Sequence, residues 1–157
     1  MTGVTPALRL LIVAHAPSPN LGSMRDAMIA GAAEIPGVET RVRAALDASP
    51  EDVCAAHAIL LLTPENLGYM SGALKDFFDR VYYPCLERTA GTPYALCVRA
   101  GNDGEGAARA VTRIVTGLRW RAFREPLVCR GGWRAEFLDD CRELGTLAAA
   151  GLDAGIF

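Results

Sequence analysis

The sequence predicts a doubly wound α/β fold, with five parallel strands between two layers of helices. Three observations predict it. Leu8–Ala14 and residues 58–62 are short, nearly continuous apolar runs of the kind buried on both faces of a parallel sheet. A strongly amphipathic stripe stands close behind the second run. Strand-like and helix-like segments then alternate down the whole chain, and right-handed crossovers turn that order into a sheet with helices on both sides.

The elements follow in order. Leu8–Ala14 is the first strand. Residues 23–34 space Met24, Ala27, Met28 and Ala32 at helical intervals, with Ser23 as N-cap and Pro36-Gly37 as the stop. Residues 38–43 alternate and give a short strand suited to a sheet edge. Ser49-Pro50-Glu51-Asp52 opens a short helix with a cap, a proline at the first helical position and acids in the first turn. Residues 58–62 form the third strand. From Met70, the positions Ala73, Leu74, Phe77, Phe78 and Val81 complete a helical stripe. Residues 94–98 are a fourth strand, followed by a Gly-rich loop and a helix of roughly 13 residues. Residues 120–129 supply a fifth strand bent near Pro126, and a last helix covers residues 135–150.

The chain's 157 residues, 51% hydrophobic and 22% charged, fit one globular domain spanning 1–157. A formal net charge of −2 disfavours a partner held by its phosphate backbone, so nucleic acid is not expected. The apolar runs fall far short of the ~20 residues that cross a bilayer. The N-terminal stretch lacks a cationic segment and a small-residue cleavage site, and a cytoplasmic location is the expectation. Five cysteines without a CxxC pair fit reduced thiols, with Cys97 and Cys129 as small buried hydrophobes, and give no reason to expect structural zinc.

In such sheets, ligands bind outside the carboxyl ends of the strands. Three long loops leave those ends, at residues 15–22, 63–69 and 99–106. The first runs into a helix N-terminus, where exposed amides and the positive dipole end favour an anion. Ser18, Asn20 and Ser23 add donors there, Gly22 admits close approach, and no P-loop lysine follows. A phosphate and a simple helix cap are equally good readings of this loop alone. The second loop offers backbone groups over residues 65–69 with Asn66 and Tyr69, a set able to edge a flat heterocycle. The third, AGNDGEG, has three glycines in an order that is not the dinucleotide fingerprint GxGxxG.

Pro64-Glu-Asn-Leu-Gly-Tyr-Met-Ser-Gly72, followed by the Lys75-Asp-Phe-Phe-Asp-Arg80 helix, resembles the flavodoxin-like FMN proteins, and most specifically their NAD(P)H-dependent oxidoreductases. The likeness of element order extends over nearly the whole chain. The resemblance implies a flavodoxin-like three-layer sandwich with strand order 2-1-3-4-5. It implies FMN, with Ser18, Asn20, Gly22 and Ser23 at its phosphate, Pro64, Glu65, Asn66, Leu67, Gly68 and Tyr69 along the ring, and Gly101, Asn102, Asp103 and Gly104 at the pyrimidine edge. NADH or NADPH would donate electrons, a quinone, flavin or similar small molecule would accept them, and a homodimer or homotetramer is implied. No protein acid or base is needed, since the flavin carries the chemistry. The first loop departs from the family pattern, with Leu21 at a small position and Ser23 for threonine.

Other readings are weaker. A phospho-receiver needs an acidic pair after the first strand and Asp after the third, where this chain has His15-Ala16 and Thr63. A serine hydrolase needs GxSxG, whereas Gly68 to Gly72 reads GxxSG, and His57 looks like a helix-end or strand-start residue. The stronger rivals keep the fold: an electron-carrier flavodoxin, or a module that has lost FMN and acts through protein contacts. Arg119, Arg121 and Arg124 read as a solvated basic face more than as an NADPH 2′-phosphate site, and Trp133 as a core plug more than a flavin wall.

Overall fold

The computed structural model describes residues 7–157. Residues 1–6, the start of the N-terminal stretch read above as lacking a cleavable leader, lie outside the described residues. The elements are β1 (Leu8–Ala14), α1 (Pro19–Ala32), β2 (Val38–Ala44), α2 (Pro50–Ala55), β3 (Ala58–Asn66), β4 (Tyr69–Met70), α3 (Gly72–Cys85), β5 (Pro93–Ala100), α4 (Glu105–Gly117), β6 (Arg121–Ala122), β7 (Leu127–Arg130) and α5 (Glu136–Ala154). The parallel sheet runs β2-β1-β3-β5, with β6 and β7 pairing successive stretches of β5. Its strand positions are therefore 2-1-3-4-5, as expected, and β2 is an edge.

Period-two alternation sorts the strand side chains onto two faces. Leu11, Val13, Ile59, Leu61, Leu96 and Val98 meet Phe77, Phe78, Val111 and Val115 from α3 and α4, and Val53 from α2. Leu10, Ile12, Leu60, Leu62, Ala95 and Cys97 meet Met24, Met28, Leu144 and Ala148 from α1 and α5. Phe77 is fully buried, so its truncation to alanine would cost about 3–5 kcal/mol. On the second face, α1 and α5 approach so closely that a Cβ on Gly31 would overlap the Arg142 carbonyl, and one on Gly145 the Met28 carbonyl.

Several boundaries differ from the sequence expectation. Helix α1 begins at Pro19 and not at Ser23, because Ser18 caps it: the Leu21 amide donates to Ser18 Oγ at 3.3 Å and proline fills the first helical position. The helix ends at Ala32, before Pro36-Gly37. Strand β3 continues four residues past Leu62, and Met70 belongs to β4, with Ser71 capping α3. The fifth strand is two short pieces, β6 and β7, with Pro126, which has no amide to donate, in the gap. The α2 expectation holds in detail: Ser49 and Asp52 form a reciprocal capping box behind Pro50. No helix among the described residues is long and apolar enough to cross a membrane.

Candidate functional site

The register sets three chain segments side by side at one edge of the sheet. Ala14 pairs with Leu62 and Pro64 with Arg99, while the His15 amide donates to the Leu62 carbonyl at 2.9 Å. The segments leaving β1, β3 and β5 thus start from neighbouring positions, where a doubly wound sheet carries its ligand.

The first segment is shorter than expected, residues 15–18. Asn20, Gly22 and Ser23 belong to the first turns of α1, and the Gly22 amide is already bonded to the Ser18 carbonyl at 2.9 Å. Ser18 Oγ accepts the Leu21 amide and keeps its own hydrogen to donate outward. Asn20 and Ser23 are exposed. Sequence reasoning missed Arg25, whose guanidinium folds back to 3.7 Å from where a Cβ on Gly22 would stand. Arg25 lines a cavity of about 330 Å³ with His15 and Arg43. Asp26 lies 3.1 Å from Arg25 and Asp52 3.4 Å from Arg43, so acids offset part of that positive charge.

The second segment is a tight hairpin and not an open loop. Glu65 pairs with Met70 and Asn66 with Tyr69, leaving Leu67 and Gly68 as the two central turn residues. Both have positive φ, 54° and 73°, the sign a type I′ turn requires. For leucine that region is unfavourable. Buried Thr63 fixes the base: its Oγ1 donates to the Pro64 carbonyl at 2.8 Å and accepts the Ser71 amide at 3.0 Å. Ser71 Oγ accepts the Leu74 amide, which makes this serine a buried helix cap and not an exposed nucleophile.

The third segment, residues 101–104, closes against that hairpin. Gly104 is the buried N-cap of α4, and Asp103 Oδ1 accepts the Glu105 amide at 3.0 Å. Glu65 reaches across from the hairpin to accept the Ala107 amide at 3.2 Å, placing a carboxylate at the positive end of α4. Gly106 lets the helix touch the turn, since a Cβ there would overlap the Gly68 carbonyl. Of the predicted residues, Pro64, Glu65 and Gly104 are thus engaged in the scaffold, whereas Asn66, Leu67, Gly68, Tyr69, Gly101, Asn102 and Asp103 are exposed around it. Beside the turn, a cavity of about 460 Å³ is lined by Tyr69, Lys75, Arg109 and Arg113. The hydrogen bond from Lys75 to Asp79 holds the lysine above its ordinary range.

Other singled-out residues fall elsewhere. His57 Nδ1 accepts the Arg9 amide at 2.9 Å, a strand-start role as expected. Arg119 and Arg121 are exposed. Trp133 is more than one-third exposed and packs edge-on against Phe137, with centroids 5.6 Å apart, so it rims the fold and does not plug it.

Residues 24–130, more than half the chain, match the family of NADPH-dependent FMN reductases. That span takes in the hairpin and β5–α4 and leaves out residues 15–23. A flavodoxin of Aquifex aeolicus is 30% identical over 108 residues, which cover 69% of this chain and 58% of the relative. The chain thus spans less than two-thirds of that relative's length. Among solved structures, a flavodoxin from the domain Archaea superposes with a TM-score of 0.79 at 18% identity, covering 93% of this chain and 99% of its own. The apo form of an NADH:FMN oxidoreductase gives 0.71 at 14% identity, over 90% and 89%. Those two likenesses establish the flavodoxin-like fold; the match across the hairpin, β5 and α4 establishes more, that the chain belongs to the NADPH-dependent FMN reductase family.

Proposed function

We propose that this protein binds FMN at the carboxyl edge of its sheet and passes electrons from NADH or NADPH to a quinone, flavin or similar small acceptor. The single observation that carries the reading is the family match over the hairpin and α4 start, which are the segments locked together by Glu65 and Gly106.

The residues present fit the cofactor's chemistry. Ser18 and Asn20 offer donors at a helix N-terminus, and Arg25 brings a cation to the same turn, a donor set suited to a phosphate monoester. Asn66 to Tyr69 and Gly101 to Asp103 would edge the ring system. FMN, when bound, supplies the hydride and electron chemistry. The chain's own part is positional: the Thr63 and Glu65 hydrogen bonds set the hairpin before a ligand arrives, and Asp103, accepting the Glu105 amide, shapes the turn of the third segment. Lys75, Arg109 and Arg113 would favour the phosphates of a dinucleotide donor beside the ring.

The test is the visible spectrum of the purified protein and a titration with FMN followed by quenching of flavin fluorescence. Saturable one-to-one binding is expected, followed by NAD(P)H oxidation with a quinone. No binding at tens of micromolar FMN defeats the reading. The relative's name, flavodoxin, supports a second reading, a carrier that passes electrons to a protein. That reading predicts bound FMN without NAD(P)H oxidation.

A further inference from the structure

Five cysteines scattered through the sequence are not scattered in the fold. Cys97 on β5, Cys129 on β7 and Cys141 on α5 bring their sulfurs within 4.8 Å of one another, and all three side chains are buried. Cys97 and Cys141 are in S–H contact at 3.9 Å. The three come from separate elements and lie on the α1–α5 face, away from the hairpin.

The spacing suits one kind of guest. Three sulfurs each about 2.3 Å from an ion at their centre, in one plane, lie about 4.0 Å apart. The observed triangle, with a Cys97–Cys141 side of 3.9 Å and no side longer than 4.8 Å, stands close to that size. Zinc in a structural site takes four ligands, and among the described residues no fourth His, Cys, Asp or Glu joins this group. Soft thiolate sites select soft ions such as Cu(I), which is satisfied by three sulfurs in a dry pocket. A buried, negatively charged cluster also needs positive charge nearby. Arg99 is the register partner of Cys129, with its guanidinium donating to the Cys129 carbonyl at 3.1 Å. Arg134 lies over the neighbouring Phe137 ring at 4.8 Å.

We propose that Cys97, Cys129 and Cys141 form a three-coordinate site for a single thiophilic monovalent ion of the Cu(I) type. Binding exchanges the thiol protons for the metal, with no change of oxidation state. Because β5, β7 and α5 assemble the ligands only on folding, the bound ion favours the folded state and staples α5 to the sheet. The site is separate from the proposed FMN site and does not rest on it.

The experiment is an anaerobic titration of the full, reduced chain with Cu(I) buffered by a chromophoric chelator, followed by X-ray absorption at the copper edge. One equivalent held against the chelator, with three sulfur neighbours at about 2.3 Å, is expected. Cys129→Ser and Cys141→Ser should each weaken binding at least about tenfold, since even the loss of an outer partner costs 10–100-fold. Cys54→Ser, in the separate Cys54–Cys85 pair, should leave it unchanged. Circular dichroism checks that each variant folds, and the absorption result on the unmodified chain stands whether or not they do. Failure to take up Cu(I), fewer than three sulfurs, uptake that survives in folded Cys129→Ser, or a Cys97–Cys141 disulfide forming in place of uptake would overturn the proposal.

Discussion

The two ends of the candidate site are built differently. At the hairpin end, the turn is held by a ladder to β4, a buried threonine, a carboxylate reaching to α4 and a helix pressed against the turn. At the α1 end, one serine cap and a proline set the backbone, and the charged groups are surface arginines with acidic neighbours. The first end is fixed before any ligand arrives; the second leaves its side chains free to turn toward one. Preorganisation lowers the ordering cost of binding, so the hairpin end should give shape selection and the α1 end adaptable charge.

Substitutions can break that contrast. The largest effect is expected from Gly106→Ala, which forces α4 away from the Gly68 carbonyl and should cost about 1–3 kcal/mol, read as a lower urea midpoint together with weaker FMN binding. Next, Glu65→Ala removes the carboxylate from the start of α4 and should cost about 1 kcal/mol in the same unfolding assay. Leu67→Asn should act in the opposite direction. Leu67 is fully exposed at positive φ, so asparagine keeps the turn with less strain and gains up to about 1 kcal/mol in stability. A fall in FMN affinity alongside that gain would show that the leucine side chain itself serves the ligand. The smallest effect sharpens the other end. Gly22→Ala meets only the tip of Arg25 and should stabilise α1 by roughly 0.5–1 kcal/mol. Its FMN affinity should drop if phosphate lies against that turn, and an unchanged affinity would move the phosphate elsewhere.

The contrast also explains what could be read from the sequence. Leu60 and Phe77 announce their surroundings because apolar periodicity reports burial directly. Residues 63–70 hid a hairpin because leucine occupies the turn position where asparagine or glycine would have signalled it. The start of α1 was misplaced because Ser18-Pro19 and Ser23 both satisfy capping rules, and the proline at the first helical position decides between them. Arg25 carries no motif; only the helical turn that folds it back over Gly22 brings it to the site. The cysteine cluster was invisible for the same kind of reason, since residues 97, 129 and 141 meet through sheet register and helix packing, not spacing.

The close crossing of α1 and α5 has a consequence for how the chain is made. The face carrying α2, α3 and α4 draws its core from residues 11–120 and can settle as soon as those leave the ribosome. The opposite face cannot. Met24 and Met28 wait for Leu144 and Ala148, so during synthesis α1 sits over an unfinished surface until residues 136–154 have emerged. Synthesis at about 5–20 residues per second makes that exposure a matter of seconds, and the two faces of the sheet receive their last core residues at different times.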